Sequence, residues 1–289
     1  LVPLPETLAR EPAPPDLTRA DLALTGPAGA SGFDVGLIGR ISTKVLVSCI
    51  GLVILAVLWQ VLPSNHIVDP TFVTPFNQVC STWWHMLQNG TLWFNARASL
   101  VRAAVGFFAA IILGVPLGLL VGANRLVADL LNPVLELFRN TAPLALLPVF
   151  ILILGIGQTS KFVFIAYSCL FPILLNTISA VKTADPLLVK SARALGFNQF
   201  RTFQKIVLPA SVPQIFTGIR LAGGYALLVL IAAEYVGANS GLGFLITNSE
   251  QNFQTPEMYA AIITVSIIGV LLNLVLLRVE RRFSTWRVA

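Results

Sequence analysis

Six apolar runs, at about 45–62, 97–122, 141–157, 161–181, 212–236 and 258–278, decide what this chain can fold into. A helix needs roughly 20 mostly apolar residues to cross the hydrocarbon core of a bilayer. The runs are of that order except the third, which is the shortest and holds Pro143 and Pro148. Any one of them is compatible with a buried helix in a soluble protein, but six in one chain are not. Of the 289 residues, 56% are hydrophobic and 11% charged, whereas ordinary soluble domains carry about 25% charged residues. One core cannot absorb that much apolar surface, so the expectation is an all-α integral membrane protein with six transmembrane helices.

The charges give the orientation. Arg40 and Lys44 precede the first run, whereas the 63–96 connection has Asp69 and neither Lys nor Arg. Arg125 and Arg139 follow the second run, and only Lys161 lies between the third and fourth. The 182–211 connection carries Lys182, Lys190, Arg193, Arg201 and Lys205; residues 237–257 have Glu250 and Glu257 but no cation; the tail has Arg278, Arg281, Arg282 and Arg287. Basic residues thus favour alternate connections, and by the positive-inside rule both termini lie in the cytoplasm. The net charge of +6 reports orientation, because the cations flank apolar runs instead of forming the aromatic-interleaved stripe that a nucleic acid needs.

Residues 1–39 read as a separate, flexible Pro/Gly-rich tail, with Pro3, Pro5, Pro12, Pro14, Pro15 and Pro27 and no signal-peptide pattern. The six-span domain is 40–289. Cys49, Cys80 and Cys169 have neither disulfide nor metal-ligand spacing, and His66 and His85 are two lone histidines, so no metal is expected. In the second run Gly106, Ala110, Gly114, Gly118 and Gly122 recur at every fourth position. That lines five small residues along one helical face, where another backbone can approach closely, as static packing or as an interface that moves. Pro116 in the same run is tolerated where neighbours satisfy the freed carbonyl.

The 182–211 connection is strongly patterned. Asp185-Pro186 is a helix start, an N-cap followed by proline at the first helical position. Leu188, Ala192 and Leu195 fall on one face, and Gly196 can take the left-handed conformation that ends a helix. A second segment with Phe200 and Phe203 closes at Ile206, Leu208 and Pro209, and Ser211 with Gln214 is expected to form a capping box for the fifth span, with Pro213 in its first turn. Two short basic amphipathic helices under the membrane serve either as a docking element for a cytoplasmic partner or as an interfacial helix resting on anionic lipid.

The same residues resemble the EAA loop of binding-protein-dependent ABC-importer permeases, whose pattern is E-A-A, three residues, G, nine residues, I, one residue, L-P. Lys190-Ser191-Ala192 occupy the E-A-A positions, followed in register by Gly196, Ile206 and Leu208-Pro209. Lys190 stands where the family has glutamate, and Ser191 replaces the first alanine. Further stretches are similar to the nitrate, sulfonate and taurine branch: Leu144 to Pro148, Gly155-Ile156-Gly157, Ser160-Lys161, Phe171 to Thr177, Thr217 to Arg220, Ala232-Ala233-Glu234 and Gly241-Leu242-Gly243-Phe244. Together they cover roughly 97–287.

The resemblance implies a permease subunit of the bacterial inner membrane, paired with a second permease chain. Two cytoplasmic ATPase subunits that hold ATP and Mg, and an extracytoplasmic substrate-binding protein, complete the importer. It also implies a small oxyanion or organic anion as cargo and a coupling loop at Lys190, Ser191, Ala192, Gly196, Phe200, Phe203, Ile206, Leu208 and Pro209. The chain itself has no Walker A loop, since Gly155 to Lys161 has the wrong spacing. It shows no nucleophile–base pair, and neither catalysis nor a bound cofactor is expected of it. A stand-alone secondary carrier or channel is the alternative.

Polar residues within spans are costly in lipid and usually face a cavity or each other. On that ground the candidates for a translocation pathway are Asn140, Thr141, Asn176, Thr177, Arg220, Tyr225 and Glu234, with Ser168 and Asn273 beside them. Each also has a purely interhelical hydrogen-bonding reading. Glu234 would not attract an anion and reads as a gate or a structural partner; Arg220 either attracts an anion or snorkels to the inner interface.

Overall fold

The computed structural model describes residues 72–284 together with 50, 51, 54, 56–61 and 63. The 1–39 tail, half of the first apolar run, Arg40, Lys44, Cys49, His66, Asp69 and Arg287 lie outside the described residues. Two units divide the chain at Leu55 and Ala56. In the first, residues 50, 51 and 54 are helical; all that follows concerns the second.

Every regular element among the described residues is a helix. After helical residues 56–61 come α1 (Phe76–Gln88), α2 (Thr91–Ala123), α3 (Arg125–Asn140), a 3-10 turn (Pro143–Leu146), α4 (Leu147–Leu154), α5 (Gln158–Lys182), α6 (Pro186–Ala194), α7 (Gln199–Thr202), a π-helical turn (Phe203–Val207), α8 (Leu208–Tyr235), α9 (Leu242–Gln251) and α10 (Thr255–Ser284). Among the described residues four helices, Thr91–Ala123, Gln158–Lys182, Gln199–Tyr235 and Thr255–Phe283, are long and apolar enough to cross a membrane. Arg125–Asn140 and Pro143–Leu154, a pair bent by 90°, are together apolar enough for a broken span or a re-entrant loop, which makes up to five crossings.

The small-residue face of α2 packs on α5. A Cβ placed on Gly106 would lie 2.6 Å from Ile165, on Gly114 3.1 Å from Ile173, on Gly118 2.6 Å from Thr177 and on Gly122 2.7 Å from Val181. Between the first two pairs, Ala110 and Cys169 are both fully buried in one cluster. The partners on α5 also recur every four residues, and their numbers rise with those on α2. The two helices are therefore parallel, and the chain between them must travel back along their length.

It does so in two pieces, which corrects the expected third span. Only Leu147–Leu154 of 141–157 is α-helical, about 12 Å at 1.5 Å per residue, and too short to cross alone. The first piece is α3, which the sequence reading placed in a connection. Leu131 and Leu135 pack against Val121, Leu174 and Ile178 near the Lys182 end of α5. Phe138, at the far end of α3, has its ring 6.3 Å from those of Phe171 and Tyr167. Phe150 then meets Tyr167 at 5.4 Å and Phe164 at 5.8 Å. So α3 climbs α5 to about its middle, the chain turns sideways there, and α4 continues toward Gln158. Arg139 consequently lies at mid-height and not with Arg125 at the Lys182 end.

The other long helices pack antiparallel in sequence. Along α5 and α8, Gln214 Nε2 donates to Ser179 Oγ at 3.1 Å, Gly218 abuts Asn176 and Pro172, and Cys169 Sγ donates to Ala222 O. Along α8 and α10, Phe216 stacks on Phe283 at 4.3 Å and Arg220 pairs with Glu280 at 3.1 Å. A second cluster joins α1, the start of α2, α9 and α10 through Val79, Met86, Leu92, Leu245, Ile246, Ala260 and Ala261.

Candidate functional site

At the Lys182 end the patterned connection folds into a sharply bounded element. Asp185 Oδ1 accepts from Leu187 N at 2.8 Å, and Pro186 occupies the first position of α6. Gly196 has φ +81°, Phe197 N donates to Ala192 O and Gly196 N to Arg193 O, which is the Schellman closure. Asn198 then caps α7, its Oδ1 accepting from Arg201 N at 2.8 Å.

Beyond α7 the chain does not stop. Residues Phe203–Val207 form a π-helical turn that runs straight into α8, giving a continuous helix Gln199–Tyr235 of 37 residues. The expected capping box is absent: Ser211 Oγ donates back to Val207 O at 2.7 Å, and Gln214 reaches Ser179 on α5. Pro209 and Pro213 cannot donate to their own i−4 carbonyls, and a wider turn just upstream is one way a helix absorbs such a mismatch.

Among the coupling-loop candidates, Ala192 is buried and seats α6, whereas Lys190 and Ser191 are exposed. Phe203, Ile206 and Leu208 are half-buried and Pro209 is exposed. Leu195 is 77% and Phe200 71% exposed, and Leu187 and Leu188 lie open beside them. Exposed apolar side chains on a capped, basic element mark a site of contact with a protein or a membrane.

The opposite end holds a buried charge cluster that the sequence reading saw only in part. Arg102 of α2 and Glu234 of α8 are 3% and 1% exposed and pair at 2.7 Å. The remaining donors of Arg102 reach Gln158 Oε1 at 2.6 Å, Ser240 O at 2.6 Å and Ser240 Oγ at 2.9 Å. Glu234 also accepts from Ser99 Oγ and from Gly243 N, each at 2.8 Å. Lys161 Nζ donates to Gly157 O and Gly237 O. Asn95 Oδ1 and Ser99 Oγ accept from the backbone N–H groups of Gly241 and Leu242.

This network explains two glycines of the 241–244 motif. Gly241 has φ +119°, and a Cβ there would strike the Glu234 carboxylate; a Cβ on Gly243 would lie 2.7 Å from Glu234 Cβ. Four helices are thereby tied at one point. Arg102, Ser99, Gln158 and Ser240 were missed in the sequence. The available signal was an arginine inside an apolar run, which demands a buried counter-charge.

The pathway candidates separate. Thr177 is buried and bonds Ile173 O, Ser168 bonds Phe164 O, and half-buried Asn176 donates to Pro172 O. Glu234 is locked in the cluster, and Arg220 is paired with Glu280, which Thr217 also reaches at 2.8 Å. Tyr225 is 48% exposed on the free face of α8. Asn140 and Thr141 sit at the bend after α3, Thr141 Oγ1 donating to Leu137 O, and Asn273 is exposed.

Residues 114–286 match the family described as binding-protein-dependent transport system inner membrane component. The chain is 31% identical over 251 residues to the taurine transport system permease protein TauC of Escherichia coli, covering 85% of this chain and 91% of that one. It is 34% identical over 234 residues to the putative aliphatic sulfonates transport permease protein SsuC of Bacillus subtilis, covering 81% and 85%. With the nitrate import permease protein NrtB of Leptolyngbya laminosa it shares 31% identity over 266 residues, covering 89% and 93%. Its fold is similar to that of a chain of the inward-facing MetNI methionine ABC transporter, with a TM-score of 0.59 and 18% identity over 71% of this chain and 98% of that one.

Proposed function

Because the chain belongs to the binding-protein-dependent transport system inner membrane components, multi-pass permease subunits of ABC importers, we propose that it moves a small oxyanion or organic anion of the sulfonate, taurine or nitrate kind. The named cargoes of TauC, SsuC and NrtB support that class. Its working form is a pair of permease chains with six spans each and both termini in the cytoplasm. Two ATPase subunits, which bind ATP and Mg, hydrolyse the nucleotide beneath them, and a substrate-binding protein delivers cargo at the outer face.

The observation that carries this reading is the element at 185–235. Caps at Asp185, Gly196 and Asn198 fix its shape, an apolar tip at Leu187, Leu188, Leu195 and Phe200 offers a grip, and one unbroken helix leads from the tip into the bundle. ATP-driven closure of the ATPase pair pushes on the tip, and the helix transmits the displacement without a loop to absorb it. Exposed apolar side chains of this kind are what an ATPase groove would cover.

The test is co-purification from solubilised membranes, with uptake measured in parallel. Gly196 has open space for a side chain but a positive φ, so Gly196→Val strains the turn without a clash. Wild type is expected to bring down an ATPase subunit and to support ATP-dependent uptake, and Gly196→Val to lose both while remaining in the membrane. Uptake by the wild-type chain alone under an ion gradient overturns the proposal.

A further inference from the structure

The helix α3 has three faces, and one of them has no place in lipid. Val127, Ala128, Leu131 and Leu135 face the bundle. Leu126, Leu130, Val134 and Leu137 are exposed on a second side, which suits acyl chains. Asp129, Asn132, Glu136, Arg139 and Asn140 are exposed on the third, three or four residues apart and so along one line.

The depth of this third face is set by the ring contacts. Phe138 lies beside Phe171 and Tyr167, about 16 to 22 Å along α5 from Lys182 at 1.5 Å per residue. With Lys182 at the edge of a hydrocarbon core about 30 Å thick, that is about half to three-quarters of the way across. At the same height the helix breaks, and Asn140, Ala142 and Ala145 are exposed around a 90° bend. Irregular backbone at membrane depth is tolerated where protein buries it or where it lines water; here the chain does not bury it. Polar side chains at that depth likewise face a cavity and not lipid.

We propose that this face of α3 lines the aqueous pathway, and that Arg139 is an oxyanion-binding residue at mid-membrane with Glu136 as its built-in competitor. The inference rests on the permease reading above and adds to it a site. Arg139 Nη2 and Glu136 Oε1 pair at 2.9 Å, with both side chains more than half exposed. A planar guanidinium matches the oxygens of a sulfonate or nitrate. The neighbouring carboxylate keeps that match weak, as a transit site requires, since binding must permit release as well as entry.

The experiment uses the chain assembled with its ATPase subunits, in a background with Cys49, Cys80 and Cys169 changed to serine and Asn140→Cys introduced. Reaction rates with an anionic, sulfonate-bearing thiosulfonate and a cationic one are compared, with and without ATP. Asn132→Cys, two turns earlier on the same face, serves as a second reporter should Asn140→Cys fail to assemble. Both cysteines are expected to be water-accessible. Glu136→Gln is expected to raise the anion-to-cation rate ratio by about tenfold and Arg139→Gln to lower it by as much, the size expected of one unit charge at short range in a partly aqueous site. In uptake assays Glu136→Gln lowers KM and slows turnover, while Arg139→Gln raises KM. Unreactive cysteines in every nucleotide state, or a ratio that neither substitution moves, overturn the proposal. If ATPase binding and ATP-driven uptake hold in the same preparation, that failure leaves the permease reading intact; if they are lost in the parent chain, the permease reading itself falls.

Discussion

Arg102 and Glu234 show how a single charge can be housed in a bilayer protein. Each is buried, and between them their hydrogen bonds reach residues of four helices. Removing one member of such a pair strands the other, at a cost of about 3–5 kcal/mol. Glu234→Ala and Arg102→Ala are each expected to lose that much stability in denaturant titrations in mild detergent. The double variant should lose less than the sum, with a coupling of about 2–3 kcal/mol; additive losses would show that the pair is not a unit. Gly241→Ala should behave like a mild version of Glu234→Ala, since its methyl displaces the carboxylate. Glu234 was legible in the sequence as a costly intramembrane acid, but Arg102 was hidden because a run of apolar neighbours averages it away. Its partners Gln158 and Ser240 lie far along the chain, where no local pattern points to them.

Among the elements, those built on local rules were readable and the one built on tertiary context was not. Asp185-Pro186 and Gly196 announce the ends of α6 through their own backbone preferences, and the four-residue spacing from Gly106 to Gly122 announces a packing face. The bent pair α3 and α4 escaped because α3 divides its apolar residues between the bundle and the outside and leaves a third side polar. The result looks like a connection. The fifth span also begins earlier than Ser211 and Gln214 suggested, because the π turn at Phe203–Val207 continues the helix instead of ending it. The packing face makes a clear prediction. Gly118→Leu forces a side chain against Thr177 and the Leu174 carbonyl and should cost about 1–3 kcal/mol and lower the yield of folded protein. Gly224→Ala, with nothing within 4 Å, should be neutral in the same assay.

At the scale of the whole molecule, the parallel pairing of α2 with α5 and the antiparallel pairing of α8 with both α5 and α10 determine which ends share a side. The element at 185–209 and the C-terminal end of α10 lie on one side, and the charge cluster with α9 on the other. With the coupling element cytoplasmic, as proposed, an epitope fused at the C-terminus is expected to be protected in right-side-out vesicles, while one inserted after Asn252 is exposed; the reverse pattern would invert the topology. The 37-residue helix adds a mechanical consequence. It is a beam of about 55 Å with Phe200 at one tip and Glu234 near the other, and it bears on α5 near its middle through Gly218 and Ala222. Spin labels at Phe200 and Tyr235 should keep a constant separation across nucleotide states, whereas a change of several ångströms would place a hinge at Phe203–Val207. A stiff beam whose far end is pinned at Glu234 to the helices around it cannot swing alone, so a push at Phe200 must turn those helices with it as one body.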